Sequence, residues 1–132
     1  MIMKLAKNRA IKEVWQEFNN VYPYLRIDFY RYLQGRLGSN NRQRLNKSTT
    51  LVNAGISREG EIEISETMTV NQLEQSFLNQ FGLCVMVSRK SGSIWLETTI
   101  SHNWTLKQQN DHGRELSGPV KEDLQSDQID CD

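Results

Sequence analysis

The chain contains little cysteine and little proline, and its apolar residues form no long run. Only two of its 132 residues are cysteines, Cys84 and Cys131, and their different surroundings make a poor disulfide framework in a chain of this length. No stretch approaches the roughly 20 apolar residues of a membrane span, and the early bases Lys4, Lys7 and Arg9 are followed by no continuous apolar segment. We therefore expect a soluble protein in a reducing cytoplasm.

The sequence also lacks the short motifs that carry metal, nucleotide or nucleophilic chemistry. Its two histidines, His102 and His112, have no cysteine nearby, so no metal site is expected. Gly35 and Gly38 are followed by polar residues rather than by a helix start, which disfavours a phosphate loop. Cys84 falls in a predicted strand with no base beside it. We expect no cofactor, no metal and no catalytic residue, although an enzyme built from residues distant in the sequence stays open.

The clearest structural signal is an alternating apolar pattern over residues 83–100, interrupted at Ser91 and Gly92. Successive strand residues point to opposite faces, and antiparallel partners share a face. The pattern therefore predicts a β-hairpin with Ser91 and Gly92 as its two-residue loop. Its apolar face then consists of three cross-strand pairs, Val87 with Leu96, Val85 with Thr98 and Leu83 with Ile100.

Periodicity outside the hairpin indicates further helices and strands. Helical spacing of apolar residues predicts a helix over 4–19, and alternation predicts strands over 25–30 and around 61–65. The element order is then α-β-β-α-β-β-α once the two later helices are included. This order predicts an α+β fold, a two-layer sandwich in which a four-stranded, mainly antiparallel sheet carries helices on one face.

Two capping boxes mark where those later helices begin. Thr69 is followed three residues later by Gln72, and Thr105 by Gln108, a spacing at which each side chain can bond the backbone amide of the other residue. The predicted helices cover residues 70–81 and 106–111.

Charge is segregated along the chain although the net charge is zero. No acid occurs between Asp28 and Glu59, whereas acids are concentrated near the C-terminus. Glycine, serine and asparagine break any periodicity over 33–48, which we interpret as a mobile basic loop. We therefore expect a single domain over 1–116 that contains this loop, followed by an acidic, disordered tail over 117–132.

The basic segment over 30–47, which begins with Tyr30 and Tyr32, is one of two candidate binding sites. Arginine and lysine attract phosphate, and tyrosine stacks on unpaired bases, so the segment predicts nucleic-acid binding, with a solvated loop as the alternative. Because the acidic tail would compete for the same cations, a chain ending at Leu116 is expected to bind single-stranded nucleic acid more tightly than the full chain. The candidate residues are Arg31, Arg36, Arg42, Arg44 and Lys47.

The other candidate site is the hairpin face that carries Trp95. If helices cover the face of Val85 and Val87, Trp95 and Met86 lie on the opposite face, where an apolar patch would need a partner or the first helix to cover it. Burial in the core is the alternative. We predict a non-enzymatic binding module or accessory protein that acts through protein–protein contacts, with Met86, Trp95 and Glu97 as its partner-binding residues. Nucleic-acid binding is the alternative function, and a homo-oligomer stays open.

A further pattern runs through the third quarter of the chain. It consists of Phe81, Gly82, Leu83, Val85, Arg89, Lys90, Ser91, Gly92, Trp95, Leu96, Glu97, Thr98, Thr99, Trp104, Thr105, Leu106, Gln109 and Asn110. This pattern resembles that of a family of short uncharacterised bacterial proteins. The resemblance implies a compact bacterial domain built around the hairpin and the turn that follows it, and it implies no activity, ligand or partner.

Overall fold

The structure, a computed structural model, describes residues 1–32 and 42–118. Its elements alternate short strands with helices of up to three turns. In chain order they are β1 (Ile2–Leu5), α1 (Ile11–Val21), β2 (Leu25–Tyr32), β3 (Arg42–Arg44), α2 (Leu51–Ala54), β4 (Gly60–Glu63), α3 (Val70–Phe81), β5 (Cys84–Ser91), β6 (Ile94–Glu97) and α4 (Leu106–Ser117).

The strands form two antiparallel sheets rather than one. A four-stranded sheet has the order β3-β2-β5-β6, and β1 pairs with β4 in a separate two-stranded sheet. The predicted α+β class is confirmed, but the predicted sheet had the wrong members. The strand around 61–65 pairs with β1, where Met3 lies opposite Ile62. The fourth strand of the larger sheet is β3, which the sequence did not predict and which lies beside β2.

The first helix begins later than the periodicity predicts. Residues 4 and 5 belong to β1, and α1 starts at Ile11. The cause is long-range, because Met3 and Leu5 are fully buried by pairing with β4 rather than by helical packing. No signal within the first twenty residues reveals that partner.

The helices pack against the face of the four-stranded sheet that carries Leu25, Ile27, Phe29, Val85 and Val87, here called the inner face. Each of these side chains is at most 5% exposed, and they form one core with the buried residues of α1 and α3. The Phe29 ring meets the Phe77 ring of α3 edge to face at 5.9 Å between centroids. Burial of side chains of this size is the main favourable term in folding.

The hairpin forms as predicted, but its turn lies one residue later. Ser91 pairs with Ile94, so the loop residues are Gly92 and Ser93, and Gly92 adopts the positive φ of 64° that such a turn favours. Both strand faces keep their predicted composition because the pairing shifts by an even number of residues.

All three predicted cross-strand pairs are wrong. Leu96 lies opposite Arg89 rather than Val87, and the amide of Thr98 donates to Val87 rather than lying opposite Val85. Leu83 has no partner at Ile100, since β6 ends at Glu97 and Ile100 is fully exposed.

Both capping boxes are present, yet α4 is longer than predicted. Thr69 and Thr105 each accept a hydrogen bond from the amide three residues on. The α4 helix does not stop before Gly113 but continues to Ser117. Gly113 serves close packing instead, since a Cβ atom there would lie 2.8 Å from the Cβ of Tyr24.

The helices meet in pairs at their N-termini. Thr69 forms an antiparallel bridge with Thr105, and the amide of Leu106 donates to the carbonyl of Met68 at 2.8 Å. The starts of α1 and α2 are joined in the same way through a bridge between Ala10 and Thr50. Backbone amides of the first helical turn, which have no partner within their own helix, are thereby satisfied.

The predicted mobile loop over 33–48 is only partly within the described residues. Residues 33–41 fall outside them, and 42–44 form strand β3 instead of loop. The predicted tail lies outside the described residues from position 119 onward. In the two described stretches, no helix has both the length and the apolar character needed to cross a bilayer.

Candidate functional site on the outer sheet face

The opposite face of the four-stranded sheet carries a layer of cationic, aromatic and acidic side chains. The strand registers place alternate residues of all four strands on this side. We call it the outer face, and it consists of Arg26, Asp28, Tyr30, Arg42, Arg44, Cys84, Met86, Ser88, Lys90, Trp95 and Glu97.

The Arg42 side chain contacts residues of the three other strands on the outer face. It starts on the edge strand β3, and its guanidinium lies 4.8 Å from the ring centroid of Tyr30 on β2. One of its nitrogens donates to the sulfur of Met86 on β5, and the other donates to the carboxylate of Glu97 on β6. A single arginine therefore connects the two edges of the sheet through an aromatic ring, a thioether and an ion pair.

A second cluster surrounds Trp95. The Arg26 guanidinium lies 5.1 Å from the centroid of the indole, and the Lys90 ammonium lies 6.0 Å from it. Arg26 also donates through Nε to the nearly buried carboxylate of Asp28 at 2.9 Å. The indole is thus held in one orientation by two cations, one of which is itself fixed by a charge-assisted hydrogen bond.

Arg44 and Lys90 give the outer face its excess positive charge. Within residues 1–32 and 42–118, neither forms an ion pair with a carboxylate, whereas Arg26 and Arg42 do. A side-chain hydrogen bond with Tyr30 raises the pKa of Arg44 above its usual value. Among the described residues, the face therefore presents four cations against two carboxylates.

The structure joins parts of the two sites that the sequence suggested separately. Arg42 and Arg44 lie on the same face as Met86, Trp95 and Glu97. The other three candidate residues of the basic segment, Arg31, Arg36 and Lys47, are not placed on the outer face. Arg31 donates to the carbonyl of Asn53 in α2. The Lys47 ammonium lies 4.3 Å from the centroid of the Trp15 ring of α1, and Arg36 is outside the described residues.

The prediction of an apolar patch at Met86 and Trp95 is wrong, because the surface there is charged. Both side chains are half-buried beneath the side chains of Arg26, Arg42 and Lys90, so the surface there is cationic. Sequence reasoning missed Arg26, Asp28, Tyr30 and Lys90 as members of the site. The alternation of β2 put the first three on one polar face, but only the pairing of β2 with β5 shows that this face is shared with Trp95.

The outer face also contains Cys84, which is a free, half-buried thiol. Burial raises the pKa of this thiol above its usual value. A raised pKa keeps the sulfur protonated at neutral pH and lowers its nucleophilicity. The position is therefore typical of a packing residue, as the sequence predicts.

A second polar cluster lies on the helical side, at the end of β6. Glu74 of α3 accepts from the amide of Val87 at 3.1 Å and contacts Nε2 of His102 at 2.7 Å. Gln109, which is fully buried, bonds the carbonyl of Ser101 and the guanidinium of Arg89, each at 2.8 Å. These bonds fix the turn between β6 and α4, which is a structural role for Arg89 and Gln109.

The described residues offer no metal centre, since no three side chains of histidine, cysteine, aspartate or glutamate converge among them. Comparison of the chain with family models, with curated proteins and with solved structures finds no match. The outer face is therefore interpreted from its own chemistry.

Proposed function

We propose that the chain is a small non-enzymatic binding module that holds a protein partner against the outer face. The observation that carries this proposal is the clustering of Trp95, Met86 and Tyr30 with three arginines on one sheet face. Tryptophan, tyrosine and arginine are the residue types that dominate binding energy at protein interfaces, and methionine is enriched there.

The charge of the outer face indicates the chemistry of the partner. Arg44 and Lys90 lack carboxylate partners among the described residues, so a partner segment with two or more carboxylates would complete their ion pairs. Because Arg26 already holds the indole of Trp95 in place, little side-chain freedom is lost on binding. We place this activity in the cytoplasm, where Cys84 would remain a free thiol.

The proposal is tested by charge reversal on the outer face. Arg44→Glu should weaken the affinity of the captured partner by about tenfold or more, because it replaces attraction by repulsion at an exposed position. Lys12→Glu on α1 changes the net charge equally and is the matched control. Partners are recovered from host cells with the wild-type chain and both variants, identified, and measured again as purified pairs.

Trp95→Ala supplies the second arm of this test. It should weaken the same partner while lowering the free energy of unfolding by no more than about 2 kcal/mol, because the half-buried indole loses cation–π contacts with Arg26 and Lys90. Equal recovery of every protein by wild type, Arg44→Glu and Trp95→Ala would contradict the proposal. A large loss of stability in Trp95→Ala would assign the indole to the core instead.

Nucleic-acid binding is a second candidate because the outer face has more cations than carboxylates. A chain ending at Leu116 lacks the acidic tail and should bind a labelled single-stranded oligonucleotide more tightly than the full chain. Fluorescence anisotropy should then show a steep loss of affinity with salt, with a slope of about −0.7 per phosphate contact. Absence of binding by both chains at low salt would remove this candidate.

A further inference from the structure

The two edges of the four-stranded sheet differ sharply in character. The β3 edge consists of Arg42, Gln43 and Arg44, all exposed, and charged side chains of this kind discourage the addition of another strand. The β6 edge instead carries Ile94 and Leu96, whose side chains are 56% and 40% exposed on the inner-face side. Its one charged residue, Glu97, lies on the outer-face side and is paired with Arg42.

The backbone of β6 has hydrogen-bonding groups that point away from β5. The amide of Thr98 donates to Val87 at 3.3 Å, so even-numbered residues of β6 direct their amides and carbonyls toward β5. The odd-numbered residues Trp95 and Glu97 consequently direct theirs to the free edge. An added strand would find two residues with both groups available.

We propose that the occupant of this edge is β6 of a second copy of the chain, paired antiparallel about a two-fold axis at Trp95. In that register Trp95 exchanges both backbone hydrogen bonds with its symmetry equivalent. Ile94 lies opposite Leu96 of the second copy, and Leu96 lies opposite its Ile94. Each exposed apolar side chain thereby gains an apolar neighbour on the same face.

Charge placement favours the same arrangement. Glu97 lies opposite Ser93 of the second copy, so no two carboxylates face each other across the new pair. The two outer faces become one continuous surface of eight strands, with the pair of indoles at its centre and the Arg44 edges at its far ends. This inference does not depend on the identity of a partner protein.

The register is tested by two substitutions and their combination. Ile94→Lys places an ammonium opposite Leu96, and Leu96→Glu places a carboxylate opposite Ile94, so each should weaken dimerisation by about tenfold because symmetry removes two apolar pairs at once. The double variant Ile94→Lys with Leu96→Glu aligns lysine with glutamate across the axis twice. It should recover dimerisation beyond either single variant.

Sedimentation equilibrium over a wide concentration range measures the three variants and the wild-type chain, and thermal melts confirm that each is folded. A wild-type chain that stays monomeric at millimolar concentration would overturn the inference, as would a double variant no tighter than the single ones. Dimerisation by wild type with loss and recovery in the variants supports it. A monomeric wild-type chain that still binds its partner through Arg44 would overturn only the dimer and leave the proposed function intact.

Discussion

Phe77→Ala should lower the free energy of unfolding by about 3 to 5 kcal/mol, the range observed when a fully buried phenylalanine is truncated. Phe77 is 0% exposed and supplies the edge-to-face contact with Phe29 that joins α3 to the sheet. Removal of the ring loses the favourable free energy of transferring it from water to the core. It also leaves a cavity between α3 and the sheet, which cannot move together freely to fill it. Urea denaturation should show a lower midpoint with an unchanged slope.

The neighbouring residue provides the control for this substitution. Leu78 is 45% exposed to solvent, so Leu78→Ala should change the free energy of unfolding by much less than Phe77→Ala. Similar losses for the two variants would mean that α3 does not pack against the sheet through Phe77.

Gln109→Leu should lower the free energy of unfolding by about 3 kcal/mol, although leucine is close to glutamine in size. The buried amide bonds Ser101 through its nitrogen and Arg89 through its oxygen. Leucine would leave the Ser101 carbonyl and a guanidinium nitrogen of Arg89 without these partners. The Nε of Arg89 is already buried without a partner among the described residues, so the guanidinium has few alternatives.

Two controls test whether the loss of stability in Gln109→Leu comes from its buried hydrogen bonds: a substitution of an exposed glutamine and a double substitution. Gln75→Leu on the surface of α3 should change stability by no more than about 0.5 kcal/mol. Arg89→Met combined with Gln109→Leu should cost less than the sum of the single changes, because the two side chains share a hydrogen bond. Strict additivity in thermal and urea unfolding would show that the two residues act independently.

The sequence predicted the elements whose signals are local. The α3 helix carries its capping box and its apolar stripe within a dozen residues, and the hairpin carries its alternation and its glycine within eighteen. The turn shifted by one residue because Ser91 and Ser93 are equivalent as loop residues beside Gly92. The prediction of which residues share a face is still correct, because the face of a side chain depends only on whether its position is odd or even.

The elements that escaped prediction depend on partners far along the chain. Lys4 and Leu5 continue the helical pattern of the sequence, but they form a strand because they pair with β4. Arg42–Arg44 contains no apolar residue, so β3 has no signal of its own and forms because β2 offers an edge. The last helix was predicted to end before Gly113, yet the absence of a side chain at this residue lets α4 approach Tyr24 closely.

The sequence predicted some residues of the candidate site, but it did not predict which residues from other strands would join them. Met86, Trp95 and Glu97 followed from hairpin parity, which the structure retains. The contacts of Arg42 with residues of three other strands had no local signal in the sequence, because a long side chain can contact many different neighbours. Only the order of strands in the sheet decides that Tyr30, Met86 and Glu97 lie along its path.

The pairing of helix N-termini has a consequence for the order of folding. The bridge between Thr69 and Thr105 means that the opening turns of α3 and α4 satisfy their amides through each other's flanking segments. Neither turn is complete until the chain between them, which contains the hairpin, has closed. We therefore expect an isolated fragment that ends within the hairpin to lack the carbonyls of residues 102 and 104 that pair with the first amides of α3, and so to form that helix less readily.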